Sequence, residues 1–582
     1  MQYLANLIES KIPRLHMNRH VVSLILAVII GILSGYGAVL FRFVIQFIQW
    51  CFYQNKADIL NFAHTVHPAL KIGMPALGGL IVGILVYFGA REAKGHGVPE
   101  VMEAVVLKDG FIRKRVAVVK ILASAICIGS GGSVGREGPI VQIGSSIGSS
   151  IAQLFKVSRI HMKTMVGCGA AAGIAATFNA PIAGVLFSLE IILGDFGLMS
   201  FSPVVLSSVT ATTISRYYFG DLPAFDIPEY SMTSLWEYSF YPVLGVVTGL
   251  VGLAFTTVLY KAEDLFDLVR MPEWLKPALG GALLGLIFLR FPHVFGVGYG
   301  SINLTLVNQM GLSLVFALIL IKMLATSLTI GTGGSGGIFA PSLFIGAMTG
   351  GTFGILVHTL FPEITSSSGA YALVAMGGVV SGTTHAPITA ILILFELTGQ
   401  YSIILPLMIT CILSTIVASS LKHGSIYTIK LLRRGVNIET GREVNVLQRL
   451  LVKDCMQHMG VTIPESMNLR QIIETFKSHN APYLHVLNED QELTGIISFR
   501  DIRPILDEES LLQLIIAKDI ATTRLVTTTP EETLQQALEK VTSAGVSQLP
   551  VIQDGRLVAT LRECDITATY SQELIKREIE RT

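Results

Sequence analysis

Charge is what this sequence has least of. Only 14% of its 582 residues are Asp, Glu, Lys or Arg, against 51% hydrophobic, and mean hydropathy is +0.61, which is too apolar for a soluble globular chain of this length. The net charge is +1 and no basic stripe with interleaved aromatics is present, so nothing pulls the chain toward nucleic acid. The six cysteines, Cys51, Cys127, Cys168, Cys411, Cys455 and Cys564, contain no CxxC pair; they imply neither a disulfide framework nor a zinc site, and no other metal site is expected. No catalytic constellation is assigned, and the chain is not read as an enzyme.

The missing charge is missing unevenly. Residues 451–582 carry 33 charged side chains in 132 positions, which leaves 50 for the first 450. A charge at bilayer depth costs about 2.5–3.5 kcal/mol on insertion scales, so the first part reads as membrane-embedded and the tail as soluble. The expected partition is a membrane domain over 1–434, a polar linker over 435–450 and two tail modules over 451–508 and 509–582. Basic residues flank both ends of the apolar region: Lys11, Arg14 and Arg19 before it, and Lys422, Lys430, Arg433 and Arg434 after it. That pattern predicts a multi-pass protein of the plasma (inner) membrane with both termini cytoplasmic.

Apolar segments recur at Val21–Phe41, Ile72–Phe88, Val116–Ile128, Phe201–Tyr218, Tyr241–Tyr260, Leu279–Phe291, Ser313–Leu328, Phe344–Leu360 and Ile403–Leu421. Several approach the ~20 residues a bilayer crossing needs. Those beside Pro139, Pro181, Pro341 and Pro387 are shorter and broken by Gly and Pro, which predicts helices that stop part-way through the membrane around a protected cavity.

The chain also repeats itself. GSGGSVGREGP (129–139) and GTGGSGGIFAP (331–341) agree at six of eleven positions, and NAPIAGVLFSLE (179–190) is followed by HAPITAILILFE (385–396). Interrupted apolar segments at matching places in two halves point to a transport site where the halves meet. The tail is duplicated too: Val461–Ile502 parallels Val526–Ile566, each alternating a helical pattern with short β-rich runs, which predicts two small α/β modules.

Glycine-rich runs opening helices present unpaired N–H groups at a positive dipole end, a site for an anion that needs no full positive charge. Flexible turns are the plainer reading. A nucleotide loop is excluded, since neither run carries GK[ST] and no βαβ unit surrounds them. Glu137, in GREGP, is the intramembrane carboxylate most in need of a function. Ionised, it competes with an anion for the same helix end; protonated, it leaves, so it is a candidate gate and proton acceptor. Its alternative is a salt bridge with Arg136.

Taken in order, Gly95-His96-Gly97-Val98-Pro99, GREGP at 135–139, GGIFAP at 336–341 and Tyr401 before an apolar helix resemble the four segments that build the anion site of the chloride channel and transporter (CLC) family. The resemblance covers about residues 20–420. It implies an all-α integral membrane protein, an inverted repeat of broken and tilted helices, with a cytoplasmic α/β tail, a homodimer and one chloride pore per subunit, with no cofactor required. The site it implies comprises His96, Gly97, Val98, Arg136, Glu137, Gly138, Ile338, Phe339 and Tyr401. Glu137 is then the gate, the amides of Ile338 and Phe339 bind the central anion, and the Tyr401 hydroxyl donates to it.

Two departures stand out. Many chloride-selective members have Ser where this chain has His96; a neutral imidazole N–H replaces that donor, a protonated one makes conduction pH-dependent, or the ring merely packs. Proton-coupled members generally carry a second glutamate after the one matching Glu190, and here Ile191 stands there, which favours passive, channel-like conduction over H⁺/Cl⁻ antiport. Glu190 and Glu396 are read as helix-end anchors. The tail resembles paired CBS repeats, whose adenine-nucleotide cleft would use Ser498, Asp501 and Asp565; Arg562 takes the Ser/Thr position of the second copy, and dimerisation without a ligand is the alternative. A CBS-regulated metal-cation transporter and a membrane-tethered sensor without transport are the competing functions.

Overall fold

The computed structural model describes residues 19–57, 59–63, 65–221, 225, 230, 233–436, 447, 450–456, 460–479, 481–505 and 512–579. It divides into two compact units between Ile438 and Glu439, inside the expected linker, most of which lies outside the described residues, as do Lys11 and Arg14.

The first unit is helical: α1 (Arg19–Tyr53), α2 (Pro68–Phe88), α3 (Val98–Leu107), α4 (Arg115–Gly129), α5 (Glu137–Leu154), α6 (Arg159–Phe178), α7 (Pro181–Phe187), α8 (Leu198–Phe219), α9 (Phe240–Leu268), α10 (Lys276–Arg290), α11 (Tyr299–Leu306), α12 (Leu312–Gly331), α13 (Phe339–Leu360), α14 (Ser368–Thr384), α15 (Pro387–Thr398), α16 (Ile404–Leu421) and α17 (Thr428–Leu432). Each of the nine apolar segments lies within one of these, to a residue at the ends. Among the described residues seven helical stretches are long and apolar enough to cross a membrane. Large apolar side chains such as Leu40, Phe47, Phe88, Val118, Phe316 and Leu320 are exposed on the unit's outside, as lipid-facing positions must be in a protein whose solvent is hydrocarbon.

The two halves pack by the same device. Gly144 and Gly169 face each other so closely that a Cβ on either would collide with the other's carbonyl, and Gly148 lies as tightly on Met165; these contacts join α5 to α6. In the second half Gly346 lies on Ala375 and Gly350 on Tyr371, joining α13 to α14. Removing the side chain lets backbones approach, which is how helices associate where burial of apolar surface supplies no drive. All of α14 is buried, although its Gly, Ala, Ser and Thr residues kept it below the apolar threshold in the sequence.

Prolines set the broken helices. Pro181 and Pro387 open α7 and α15 as first-turn residues, where the missing N–H costs nothing. Each follows a left-handed residue that ends the preceding helix, Asn179 (φ 58°) and His385 (φ 55°). Glu396 then accepts from the N–H groups of Ile182 (3.0 Å) and Ala183 (2.7 Å). Glu190 accepts from those of Ile388 (3.3 Å) and Thr389 (2.7 Å). Each carboxylate thus closes the N-terminus of a helix in the other half, the anchoring role read from the sequence. Ile191 lies beside this clasp in a π-helical turn, Ser188–Leu193, and is buried in the main hydrophobic core.

The second unit holds α18 (Leu469–His479), α19 (Leu534–Ala544) and α20 (Glu563–Ile579) against two small sheets. In one, β1 (Thr462–Pro464) pairs parallel with β2 (Tyr483–Leu487), which pairs antiparallel with β3 (Leu493–Ser498). In the other, β4 (Gln548–Gln553) pairs antiparallel with β5 (Arg556–Arg562). The modules interleave. Val452 belongs to the core of Leu534, Leu549 and Leu561, and Ala517 to that of Leu469, Leu484 and Ile497; each module's lead-in segment packs on the other module.

Candidate functional site

The glycine loops meet at one point of the first unit. Gly95 N–H donates to Gly334 O (3.0 Å) and Gly336 N–H to Gly95 O (3.3 Å), while Gly135 and Gly337 exchange two bonds of 2.7 and 2.6 Å. The GHGVP, GREGP and GGIFAP segments are therefore stitched into one cluster. Only glycine fits there: at Gly138 a Cβ would collide with the His96 carbonyl and come within 3.0 Å of the Gly337 Cα, and Gly97 holds φ +85°. Three helices start from this knot, α3 at Val98, α5 at Glu137 and α13 at Phe339, and none has a side-chain cap. First-turn N–H groups of this kind have no partner within their own helix and can be satisfied by an anion or a carboxylate.

Glu137 sits inside the knot, 1% exposed. Its Oε1 accepts from the Tyr299 hydroxyl at 3.1 Å, and its Oε2 has no hydrogen-bond partner. No ion pair joins it to Arg136 among the described residues; the Arg136 guanidinium carbon instead lies 5.6 Å from the Tyr299 ring centroid. His96 is also 1% exposed, and neither ring nitrogen has a hydrogen-bond partner. A buried imidazole with both nitrogens unanswered is uncommon and asks for a partner that the protein itself does not supply.

Tyr401 is not in this cluster. It is 76% exposed, in the turn between α15 and α16, edge-on to Phe395. The aromatic beside His96 is Tyr427, 1% exposed, its ring centroid 5.7 Å from that of His96. Tyr427 is the N-cap residue of α17. Both tyrosines precede a helix, and α17, with only five residues, is too short to show a period in the sequence.

Charges also surround the knot. Lys120 donates to Ala93 O (3.0 Å) and Gly95 O (2.8 Å), fixing the His96 loop. Lys430 and Arg434 both pair with Glu100, at 3.4 and 3.1 Å. Lys322 repeats the Lys120 arrangement in the second half, donating to Val294 O, Gly296 O and Val297 O at 3.2, 3.0 and 3.3 Å. Tyr299, Tyr427, Lys120 and Lys322 were missed in the sequence; the two lysines stand 202 positions apart, the interval of the glycine loops, and that signal could have found them.

Residues 78–419 match the family described as Voltage gated chloride channel. The chain belongs to the CLC family. Residues 452–508 and 517–571 match the CBS domain. Among relatives, a protein of Ralstonia nicotianae described as ClcB-like is 34% identical over 70% of this chain and 96% of its own length. An H(+)/Cl(-) exchange transporter ClcA of Yersinia pestis is 30% identical over 75% of this chain and 92% of its own. A solved slow cyanobacterial Cl⁻/H⁺ antiporter aligns with a TM-score of 0.65 and 27% identity, covering 72% of this chain and 98% of that one.

The CBS residues do not converge. Ser498 donates through both its N–H and its hydroxyl to Asp501 Oδ2, each at 2.7 Å, capping their own short helix. Asp565 is gripped by Arg562, whose Nε and Nη2 donate at 2.9 and 2.8 Å. A cleft of about 660 Å³ opens beside them, lined by Tyr483, Ser547, Arg562, Glu563, Thr567 and Ser571 among others, and by none of Ser498, Asp501 and Asp565. Arg562 is the reason for the last exclusion, since it holds the carboxylate expected to face a ribose.

Proposed function

We propose that this CLC protein conducts chloride through one pore per subunit of a homodimer, with Glu137 as the gate. The observation that carries the reading is the knot of three uncapped helix starts with a carboxylate among them and one of its oxygens unpartnered. A chloride ion takes the amides when the carboxylate is away, and the carboxylate takes them when the ion is. Gly97, Val98, Gly138, Ile338 and Phe339 line the anion's path through their backbones, His96 and Tyr427 through their side chains, and Arg136 adds positive potential.

Channel-like, passive conduction is the favoured mode. Ile191 fills with aliphatic carbon the position from which a second carboxylate would pass protons, and its burial in the core leaves no titratable group there. Proton-coupled exchange, the activity in the name of the Yersinia relative, is the second reading. The purified chain in liposomes separates them: passive conduction gives a reversal potential that follows the chloride gradient alone, and a reversal potential that moves with an imposed pH gradient overturns it. Glu137→Ala should abolish the pH dependence of flux while flux itself survives; pH-dependent flux of wild-type form in that variant sinks the gate.

The chain is a multi-pass membrane protein, and the basic flanks support placement in the plasma (inner) membrane with both termini cytoplasmic. At the tail an adenine nucleotide bound as the CBS resemblance implies would have to draw Ser498 and Asp501 out of their mutual cap and Asp565 away from Arg562; calorimetry with AMP and ATP on the full chain, with Asp501→Ala as control, decides between a nucleotide sensor and a purely structural pair. The metal-cation reading needs a carboxylate cage, and among the described residues no group of three or more His, Cys, Asp or Glu is gathered.

A further inference from the structure

The duplication extends to a pair of segments with opposite tasks. Gly95-His96-Gly97-Val98, which opens α3 in the first half, is matched by Gly296-Val297-Gly298-Tyr299, which opens α11 in the second. All four glycines hold positive φ, 76° and 85° in one segment and 57° and 91° in the other. A buried lysine pins each to its own half, Lys120 through Gly95 O and Lys322 through Gly296 O. Where the first copy has Val98, the second has Tyr299, and the Tyr299 hydroxyl donates to Glu137 Oε1 at 3.1 Å.

We propose that Tyr299 is a positioning residue that latches the gate, its hydroxyl holding the Glu137 carboxylate in the place the anion would take. The inference rests on the reading of Glu137 as the gate. The phenol is itself held: its ring meets Phe225 edge-on, with centroids 5.3 Å apart, and Arg136 stacks above it. A hydroxyl on a ring fixed from two sides forms its bond with little further loss of freedom. It stabilises the ionised carboxylate over the protonated one, because an acceptor with full charge draws the stronger bond. Opening the gate therefore requires the latch to break, by protonation of Glu137 or by an anion displacing it. The charged and titratable groups around this pair include Arg136 beside Glu137, Arg42 of α1 within electrostatic reach of Arg136 and Tyr299, Tyr427 of the α17 start, and Lys322 of α12, hydrogen-bonded to the Gly296 and Val297 carbonyls of the Tyr299 segment.

Tyr299→Phe keeps the ring and deletes the donor. Chloride efflux from liposomes holding the full-length protein, measured from pH 4 to 8, should show the midpoint of the flux curve displaced upward by about one pH unit, a tenfold change in ionisation equilibrium. At pH values above that midpoint, flux should exceed wild type several-fold. The displacement should vanish when Tyr299→Phe is combined with Glu137→Ala, because the latch then has nothing to hold. A Tyr299→Phe curve that superimposes on wild type overturns the proposal, as does an equal change in flux with and without Glu137. Phe225→Leu, which leaves the hydroxyl but loosens the ring, should give a smaller displacement in the same direction, and an unchanged curve there counts against the latch even if Tyr299→Phe does not fold. If Glu137→Ala retains the wild-type pH curve, the gate itself fails; if only the Tyr299 variants are silent, the gate stands and the latch falls.

Discussion

At the scale of single residues, the knot is sensitive to volume and to donors in different ways. Gly138→Val places side-chain carbon against the His96 carbonyl and the Gly337 backbone, and Gly337 cannot move without opening its bridge to Gly135. Such overpacking costs several kcal/mol, so this variant should fail to elute as folded protein or, if it folds, conduct nothing. Donor removal is milder. Tyr427→Phe should weaken apparent chloride affinity by roughly tenfold, the worth of one hydrogen bond to a charged group, whereas Tyr401→Phe should match wild type in the same flux assay. His96→Ser restores a compact hydroxyl donor where an imidazole stands, and should raise the permeability of chloride relative to nitrate; an unchanged ratio would mean the ring contributes only packing.

How far these residues could be read beforehand follows from how each is used. That Glu137, Gly138 and Ile338 stand at helix starts was legible because a glycine-rich run leading into a helix carries its own local pattern. Tyr427 was not, since its place in the site is fixed by the fold bringing a five-residue helix back to the His96 loop, and no period or spacing records that return. Tyr299 hides for the same reason, its partner lying 162 positions away.

At the scale of elements, the sequence showed every long apolar helix and passed over two that are largely enclosed. α6 and α14 are rich in Gly, Ala, Ser and Thr because their partners α5 and α13 must come close, and small residues depress hydropathy where burial is greatest. Gly350→Leu should therefore be more damaging than a polar substitution on a lipid-facing helix, abolishing folded protein by size exclusion, because its side chain would meet the Tyr371 backbone. The helix-end carboxylates were legible as anchors, but not that each reaches across to the opposite half. Glu396→Gln should lower stability by about 1–2 kcal/mol through loss of a charged acceptor at a helix start, measured by thermal unfolding in detergent, and Glu190→Gln should do the same. An effect confined to one of the two would contradict their equivalence.

At the scale of the whole molecule, two units of different chemistry share one chain. The tail's duplication was plain in the sequence, whereas the interleaving of its lead-in segments was not, because Val452 and Ala517 exchange cores only in three dimensions. The tail also carries a titratable core residue. Burial holds the His485 imidazole below its ordinary value of 6.5, so as pH falls the unfolded chain takes up a proton before the folded tail does. Stability is full above about pH 6.5 and declines as pH drops through that value toward the folded pKa. Hydrogen exchange over residues 460–505 of the intact protein should accelerate between pH 6.5 and 5, and His485→Phe should flatten that dependence.

The crossed clasp of Glu190 and Glu396 sets a condition on how such a protein can arise. Either half, cut from the other, would be left with a bare helix start and a stranded carboxylate, and would owe its completion to a second chain. Two identical half-length chains lying head to tail would answer each other's need with the same pair of bonds, so fusing them into one polypeptide would preserve the handshake and merely make it permanent.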